Sequence, residues 1–283
     1  MTNTTIRTND IIYSGSISTN PYAQPSYILQ QTTWTPNIPP IVYTNVPSIG
    51  DSFVPVQAGK NGSHVILVVD ESGTMSRLRK NTIDSVNEFI SSQRKDVIGN
   101  QIATIVSVFT FDGVNVKCII NKADVKSSPS INEDNYNPTG MTNLNDAFGS
   151  VIAQINTELS DLNEETRSSV IIAIMTDGME NTSRSFSVRD INQMVTKCQE
   201  KNWAFVFLGA NIDAFSTGVQ YGFNTNNTLQ YVTSATGLSA SLSSATRAVS
   251  SMKADISSGS TVYASYQSSG FTDDERKKSM GDE

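Results

Sequence analysis

Two carboxylates and three hydroxyls stand where apolar runs end or a helix is about to begin. "HVILVVDESGTM", residues 64–75, ends its apolar run on Asp70 and then places hydroxyls at alternate positions, Ser72 and Thr74. "IMTDG" ends a second apolar run on Asp177, and "PTGMTNL" sets Thr142 just ahead of a helical pattern. Such oxygens can hold a hard cation, carry a phosphoryl group, or only cap the next helix. Singly, each cluster reads blandly, Asp-x-Ser-x-Thr as a helix cap and Thr-Asp-Gly as a turn. Together, Asp70, Ser72, Thr74, Thr142 and Asp177 form an all-oxygen set. It suits Mg²⁺, Mn²⁺ or Ca²⁺, is poor for zinc, and leaves room for an outside oxygen.

The elements that must position these residues follow from periodicity. Val65 to Val69 read as a strand buried on both faces, as in a parallel sheet. Ile83, Val86, Phe89 and Ile90 recur at helical spacing within about 78–94. Residues 101–112 read as a strand, and 114–120 as its antiparallel neighbour across the turn at Gly113, at the sheet edge. A loop then leads to "NLNDAFGSVIAQINTEL", a helix with Leu144, Phe148, Val151, Ile152 and Ile155 on one face. Strands at 167–178 and 203–210 flank a helix that Ser187 opens. A short helix stopping at Gly222, a last strand "TLQYVTS" and a last helix "TGLSASLSSATRAVSSMKADI" complete the series. The fold class is therefore α/β, a doubly wound, mostly parallel sheet with helices on both faces. The three polar clusters fall at or near its carboxyl edge, where such sheets bind ligands.

In this order and at these boundaries, the clusters resemble a von Willebrand factor type A domain with a metal-ion-dependent adhesion site. Asp70, Ser72 and Thr74 match that family's Asp-x-Ser-x-Ser motif, Thr142 its threonine and Asp177 its second aspartate. Thr74 replaces the usual serine but keeps the hydroxyl. The resemblance covers about 64–256, and "PTGMTNL", "IMTDGMEN" and "WAFVFLGANIDA" further resemble a small branch common in bacteria and tailed phages. It implies a cation neutralised by Asp70 and Asp177, with one position open to a Glu or Asp carboxylate of a protein partner. Glu71 is expected to point away from the cluster or only to sit on its rim.

Competing chemistries lack their residues. A haloacid-dehalogenase phosphatase needs Asp-x-Asp, and Ser72 takes the second place. No GxxxxGK[ST] is present, and Ser72 sits in "ESGTM", not GxSxG. The one histidine, His64, reads as a strand-end polar residue, and Cys118 and Cys198 as buried reduced thiols. The expectation is binding, not catalysis.

The whole chain has 283 residues, formal charge −7, 37% hydrophobic and 17% charged residues. That acidity argues against nucleic-acid binding by general electrostatics. Neither a signal peptide nor a bilayer-length apolar run is present, so the expectation is a soluble protein made in a bacterial cytoplasm, with no membrane partner. Residues 1–60 are poor in charge and rich in Pro, Thr, Asn and Tyr. They read as an extended arm that lies across neighbouring subunits, with Tyr13, Tyr22, Tyr27, Trp34 and Tyr43 as anchors. By the same resemblance, residues 61–256 read as the type A domain, and 257–283 read as a polar tail. The expected role is structural or in assembly, in a phage virion. The alternative is a cytoplasmic adaptor working with an AAA+ ATPase.

Overall fold

The computed structural model describes residues 3–8, 11–16, 28–30, 38–44, 62–100, 102–160, 162 and 167–282. The chain divides into two units, Met1–Asn37 and Ile38–Glu283. In the first, β1 (Asn3–Thr8), β2 (Ile11–Ser16) and β3 (Ile28–Gln30) pair antiparallel in that order. Tyr13 lies on β2, opposite Ile6 and Leu29. Tyr22, Tyr27 and Trp34 lie outside the described residues.

The second unit opens with β4 (Ile41–Tyr43), β5 (Ser63–Asp70), α1 (Arg79–Asn100), β6 (Thr104–Phe111) and β7 (Val116–Asp124). It continues through α2 (Leu144–Ser160), β8 (Ser169–Thr176), α3 (Val188–Gln199), β9 (Trp203–Gly209), α4 (Ala214–Gln220) and β10 (Thr228–Gln230). Three helices end it, α5 (Ala235–Ser257), α6 (Val262–Ser268) and α7 (Asp273–Ser279). The sheet has seven strands in the order β10-β9-β8-β5-β6-β7-β4. Strands β10, β9, β8, β5 and β6 run parallel, and β7 is antiparallel to β6. This is the doubly wound α/β sheet expected from the alternation of strands and helices.

Period two decides which helices each side chain meets. On β5, Val65, Leu67 and Val69 join the core under α1 and α5, while Ile66 and Val68 join the core under α2 and α3. Helix α1 turns Val86, Phe89 and Ile90 inward, and α2 turns Phe148, Val151, Ile152 and Ile155. The order reverses around β5. The chain goes one way to β6 and later returns to β8 on the other side, so the carboxyl ends of β5 and β8 frame the switch-point crevice.

Two stretches differ from the sequence reading. Strand β7 is not the outermost strand, because β4 pairs parallel to it, Val42 opposite Lys117. "IVY" follows two prolines and is too short to show a period, which suits a brief edge strand. Tyr43, one of the expected anchors, therefore lies on a strand of this sheet and is 40% exposed. The C-terminal stretch expected as a polar tail forms α6 and α7 and docks on the sheet. Phe205 N–H donates to Tyr266 Oη at 2.8 Å, and Arg276 donates to the Thr228 carbonyl at 2.7 Å. Ser279 donates to the Gln230 carbonyl at 2.7 Å, and Arg247 pairs with Glu275. Among the described side chains there, Tyr266 and Phe271 are the buried apolar ones, and the contacts named above are polar.

Candidate metal centre

Asp70 ends β5 and is fully buried. Its Oδ1 accepts the Ser72 N–H at 2.7 Å and its Oδ2 the Thr176 hydroxyl at 2.6 Å. The chain then enters a 3₁₀ turn, Gly73–Leu78. Ser72 occupies the cap position of that turn, yet its side chain makes no capping bond. Its Oγ lies 2.9 Å from Thr74 Oγ1 instead. The helix-cap reading of this cluster thus does not describe the hydroxyl of Ser72.

Thr74 is exposed at the mouth and donates to Asp177 Oδ1 at 2.5 Å. Asp177 is 1% exposed, and its Oδ2 has no hydrogen-bond partner. Thr142 lies ahead of α2. Its backbone is clamped by Asn181, whose Oδ1 accepts the Thr142 N–H and whose N–H donates to the Thr142 carbonyl. A Cβ built on Gly178 would stand 3.0 Å from Thr142 Oγ1 and 3.9 Å from Asp70 Oδ2, so position 178 must stay bare for Thr142 to lie against this cluster. Gly140 takes φ +70, a conformation that favours glycine, and its carbonyl accepts the Gly73 N–H at 3.0 Å.

The electrostatics are those of buried acids without a counter-ion. Burial pushes the Asp70 carboxyl up to about 6, against the hydrogen bonds from Thr176 and Ser72 and together with the charge of Asp177. Burial also raises Asp177, opposed by the bond from Thr74. Neither acid forms an ion pair among the described residues. A divalent cation would offset both penalties, because an adjacent positive charge favours the ionised carboxylate. Among the described residues no three His, Cys, Asp or Glu side chains converge as a metal cluster, so a cation here would draw on hydroxyl oxygens as well.

The structure brings Asp70, Ser72, Thr74 and Asp177 into one hydrogen-bonded group and sets the Thr142 hydroxyl beside it. Several supports were not read from the sequence. Tyr136 Oη donates to the Asp70 carbonyl at 2.8 Å, Tyr231 Oη to the Thr176 carbonyl at 3.2 Å, and Asn211 to the Asp177 carbonyl at 3.1 Å. They come from loop or strand-end positions with no periodic signal. Asn181 was within reach, since it closes the quoted "IMTDGMEN". Glu71, expected to point away or to sit on the rim, is not on the rim: it is fully buried, with its carboxylate on the Asn137 N–H and Lys117. His64 sits at the opposite end of β5, with Nε2 2.8 Å from Ser107 Oγ. Both cysteines are free and buried, and no described helix is long and apolar enough to cross a membrane.

The von Willebrand factor type A domain family matches residues 64–257, the span that carries every one of these groups. The chain belongs to this family. Solved structures similar to this type A chain include proximal thread matrix protein 1 of the mussel byssus. That protein is 15% identical with a TM-score of 0.44, and the match covers 69% of this chain and 47% of the mussel chain. The type A domain chain thus spans about half the length of the mussel protein, which has also been solved with a zinc-occupied MIDAS motif. The SpRpn10 VWA domain is 11% identical with a TM-score of 0.42, covering 65% of this chain and 94% of that one. Manganese-loaded Plasmodium vivax TRAP protein is 17% identical with a TM-score of 0.41, covering 65% and 72%. No curated protein sequence matches.

Proposed function

We propose that this type A domain binds a divalent cation through Asp70, Ser72, Thr74, Thr142 and Asp177, and through that cation a protein partner. Type A domains mediate metal-dependent protein–protein interaction. The observation that carries the reading for this chain is Asp177 Oδ2, a buried carboxylate oxygen without a partner, near a second buried carboxylate, Asp70, and on a side chain whose other oxygen accepts the Thr74 hydroxyl. Unpaired buried acids are costly, and the donor set is that of a hard cation. Mg²⁺ is the ion we assign, with Mn²⁺ and Ca²⁺ as close substitutes. The ion supplies a directional ionic contact to a Glu or Asp carboxylate of the partner. Desolvation makes that contact stronger than an exposed salt bridge of about 0–1 kcal/mol.

The proposed role is non-enzymatic. Burial lowers His64 to about 3, which keeps it neutral, and it lies at the far end of β5, so it offers no general base beside the acids. Metal-dependent turnover of nucleotides or phosphomonoesters that is lost in Asp70→Asn would overturn this part.

The setting we propose is an assembly, a phage virion, with the low-charge N-terminal segment lying across neighbouring subunits. Its composition supports that reading over a cytoplasmic adaptor for an AAA+ ATPase. Sedimentation and negative-stain imaging of native material separate the two, since particles support the first and a soluble ATPase complex the second. The metal reading is tested apart from the setting. Mg²⁺ or Mn²⁺ should raise the Tm of the wild type and not that of Asp70→Ala or Asp177→Ala. Equal shifts in all three proteins would remove the assignment.

A further inference from the structure

Glu71 stands between two members of the candidate shell, Asp70 and Ser72, and its side chain is completely buried. Each of its polar groups is engaged. Its N–H donates to the Phe111 carbonyl at 2.7 Å, and its carbonyl accepts the Thr139 N–H at 2.8 Å. Its Oε1 accepts the Asn137 N–H at 2.5 Å, and its Oε2 pairs with Lys117 Nζ at 3.1 Å. One residue thus joins the end of β6, the strand β7 and the loop 137–140 to the metal loop. Gly73 adds a rung at Gly140, and Thr142 follows two residues later.

Thermodynamic stability alone does not call for an ion pair here. Apolar residues of similar volume often serve as well as a buried ion pair, whereas removing one partner is strongly destabilising. What the pair supplies is registry between loops that are distant in sequence. We propose that Glu71 is a positioning residue. Its carboxylate, held by Lys117, fixes the loop that delivers Thr142 against Asp70 and Ser72, so the shell is assembled before the cation arrives. This rests on the cation reading above. Ligands already in place lose less freedom on binding, and the partners that orient metal ligands commonly matter about 10–100-fold in affinity.

A role through charge alone has the opposite signature at Lys117. Removing a cation near the site would tighten metal binding if Glu71 acted only as an extra negative charge. If Glu71 must be held in place, the same change loosens binding.

The test is Mn²⁺ titration of the full chain, read by electron paramagnetic resonance of the free ion, beside the Tm of each metal-free protein. Glu71→Gln and Lys117→Met are each expected to weaken binding about tenfold or more, and the double variant no further than the worse single. Lys117→Arg keeps the pair and is expected to bind as the wild type does. Tyr266→Phe is the control for a general loss of stability, because it leaves the buried Phe205 N–H without its partner and touches none of the shell residues. It should lower Tm and leave Mn²⁺ affinity unchanged. Should Glu71→Gln fail to fold, the Lys117→Met and Lys117→Arg pair decides. Wild-type affinity in Glu71→Gln, tighter binding in Lys117→Met, or equal weakening in Tyr266→Phe would each overturn the inference. A wild type that binds no Mn²⁺ would instead remove the cation reading beneath it.

Discussion

The Thr74 hydroxyl donates to Asp177 Oδ1 at 2.5 Å, joining groups 103 residues apart in the chain. That bond leaves the other oxygen of Asp177 as the unpartnered one. It also explains why a threonine serves where the family motif has serine, since the contact needs only the hydroxyl. Thr74→Val keeps the shape and removes the donor, and is expected to lose most of the Mg²⁺- or Mn²⁺-induced rise in Tm. Thr74→Ser is expected to keep it. A full metal response in Thr74→Val would exclude this hydroxyl from the shell.

Asp177 separates metal binding from folding. Its carboxyl is pushed up by burial and forms no ion pair among the described residues, so Asp177→Asn removes an electrostatic cost from the metal-free protein. Without metal, the Tm of Asp177→Asn should equal or exceed that of the wild type. With metal at 100 times its Kd, the wild type should gain about 2.7 kcal/mol and the variant close to nothing. Calorimetry with and without EDTA reads both, and a variant that melts early without metal would give Asp177 a structural role instead.

Acid should weaken the fold partly through His64. Burial, with the charge of Lys122 adding to it, lowers this imidazole from 6.5 to about 3. The unfolded chain therefore binds a proton that the folded chain refuses. Stability from this residue is fully present above about pH 6.5 and falls by roughly 1.4 kcal/mol per pH unit as pH drops toward 3. Asp70, whose carboxyl is raised, contributes with the opposite sign over part of this range, so the comparison must isolate the histidine. In denaturant titrations, His64→Gln should flatten the decline between pH 6 and 4 relative to the wild type. Parallel curves would show that the imidazole does not resist protonation.

The C-terminal helices should be part of the folding unit. Tyr266→Phe leaves the buried Phe205 N–H without its partner, at a cost of about 1–3 kcal/mol. Deleting 257–283 removes that contact together with those of Arg276 and Ser279, and should lower the midpoint of urea unfolding far more. An unchanged midpoint after the deletion would return this stretch to the status of a tail.

The N-terminal segment carries a distinction that depends on where it is cut. Deleting 1–37 should leave the metal response and the Tm of the second unit as they are, while impairing incorporation into the assembly. Deleting 1–61 also strips β4 and bares the edge of β7, so it should lower stability and promote association. Normal assembly after the shorter deletion would remove the proposed role of the arm.

The sequence by itself determined the sheet and the shell candidates. Buried parallel strands are continuous apolar runs, and Val65 to Val69 and the run before Asp177 end abruptly on acids at the carboxyl edge where such sheets bind ligands. The hydroxyls at 72 and 74 could be placed because they follow Asp70 closely, and Thr142 because it stands just ahead of a helical pattern. What only the tertiary structure decided has no local signal. The engagement of Glu71 with Lys117 depends on β7 lying beside β6, a pairing that shows nothing at residue 71 itself. The clamp of Asn181 on Thr142 and the reach of Tyr136 to Asp70 likewise join loops far apart in sequence. Strand β4 and helices α6 and α7 escaped because they attach through backbone and polar contacts. Periodicity reports apolar burial, and it is silent where an element is held by hydrogen bonds to a surface that folding alone creates.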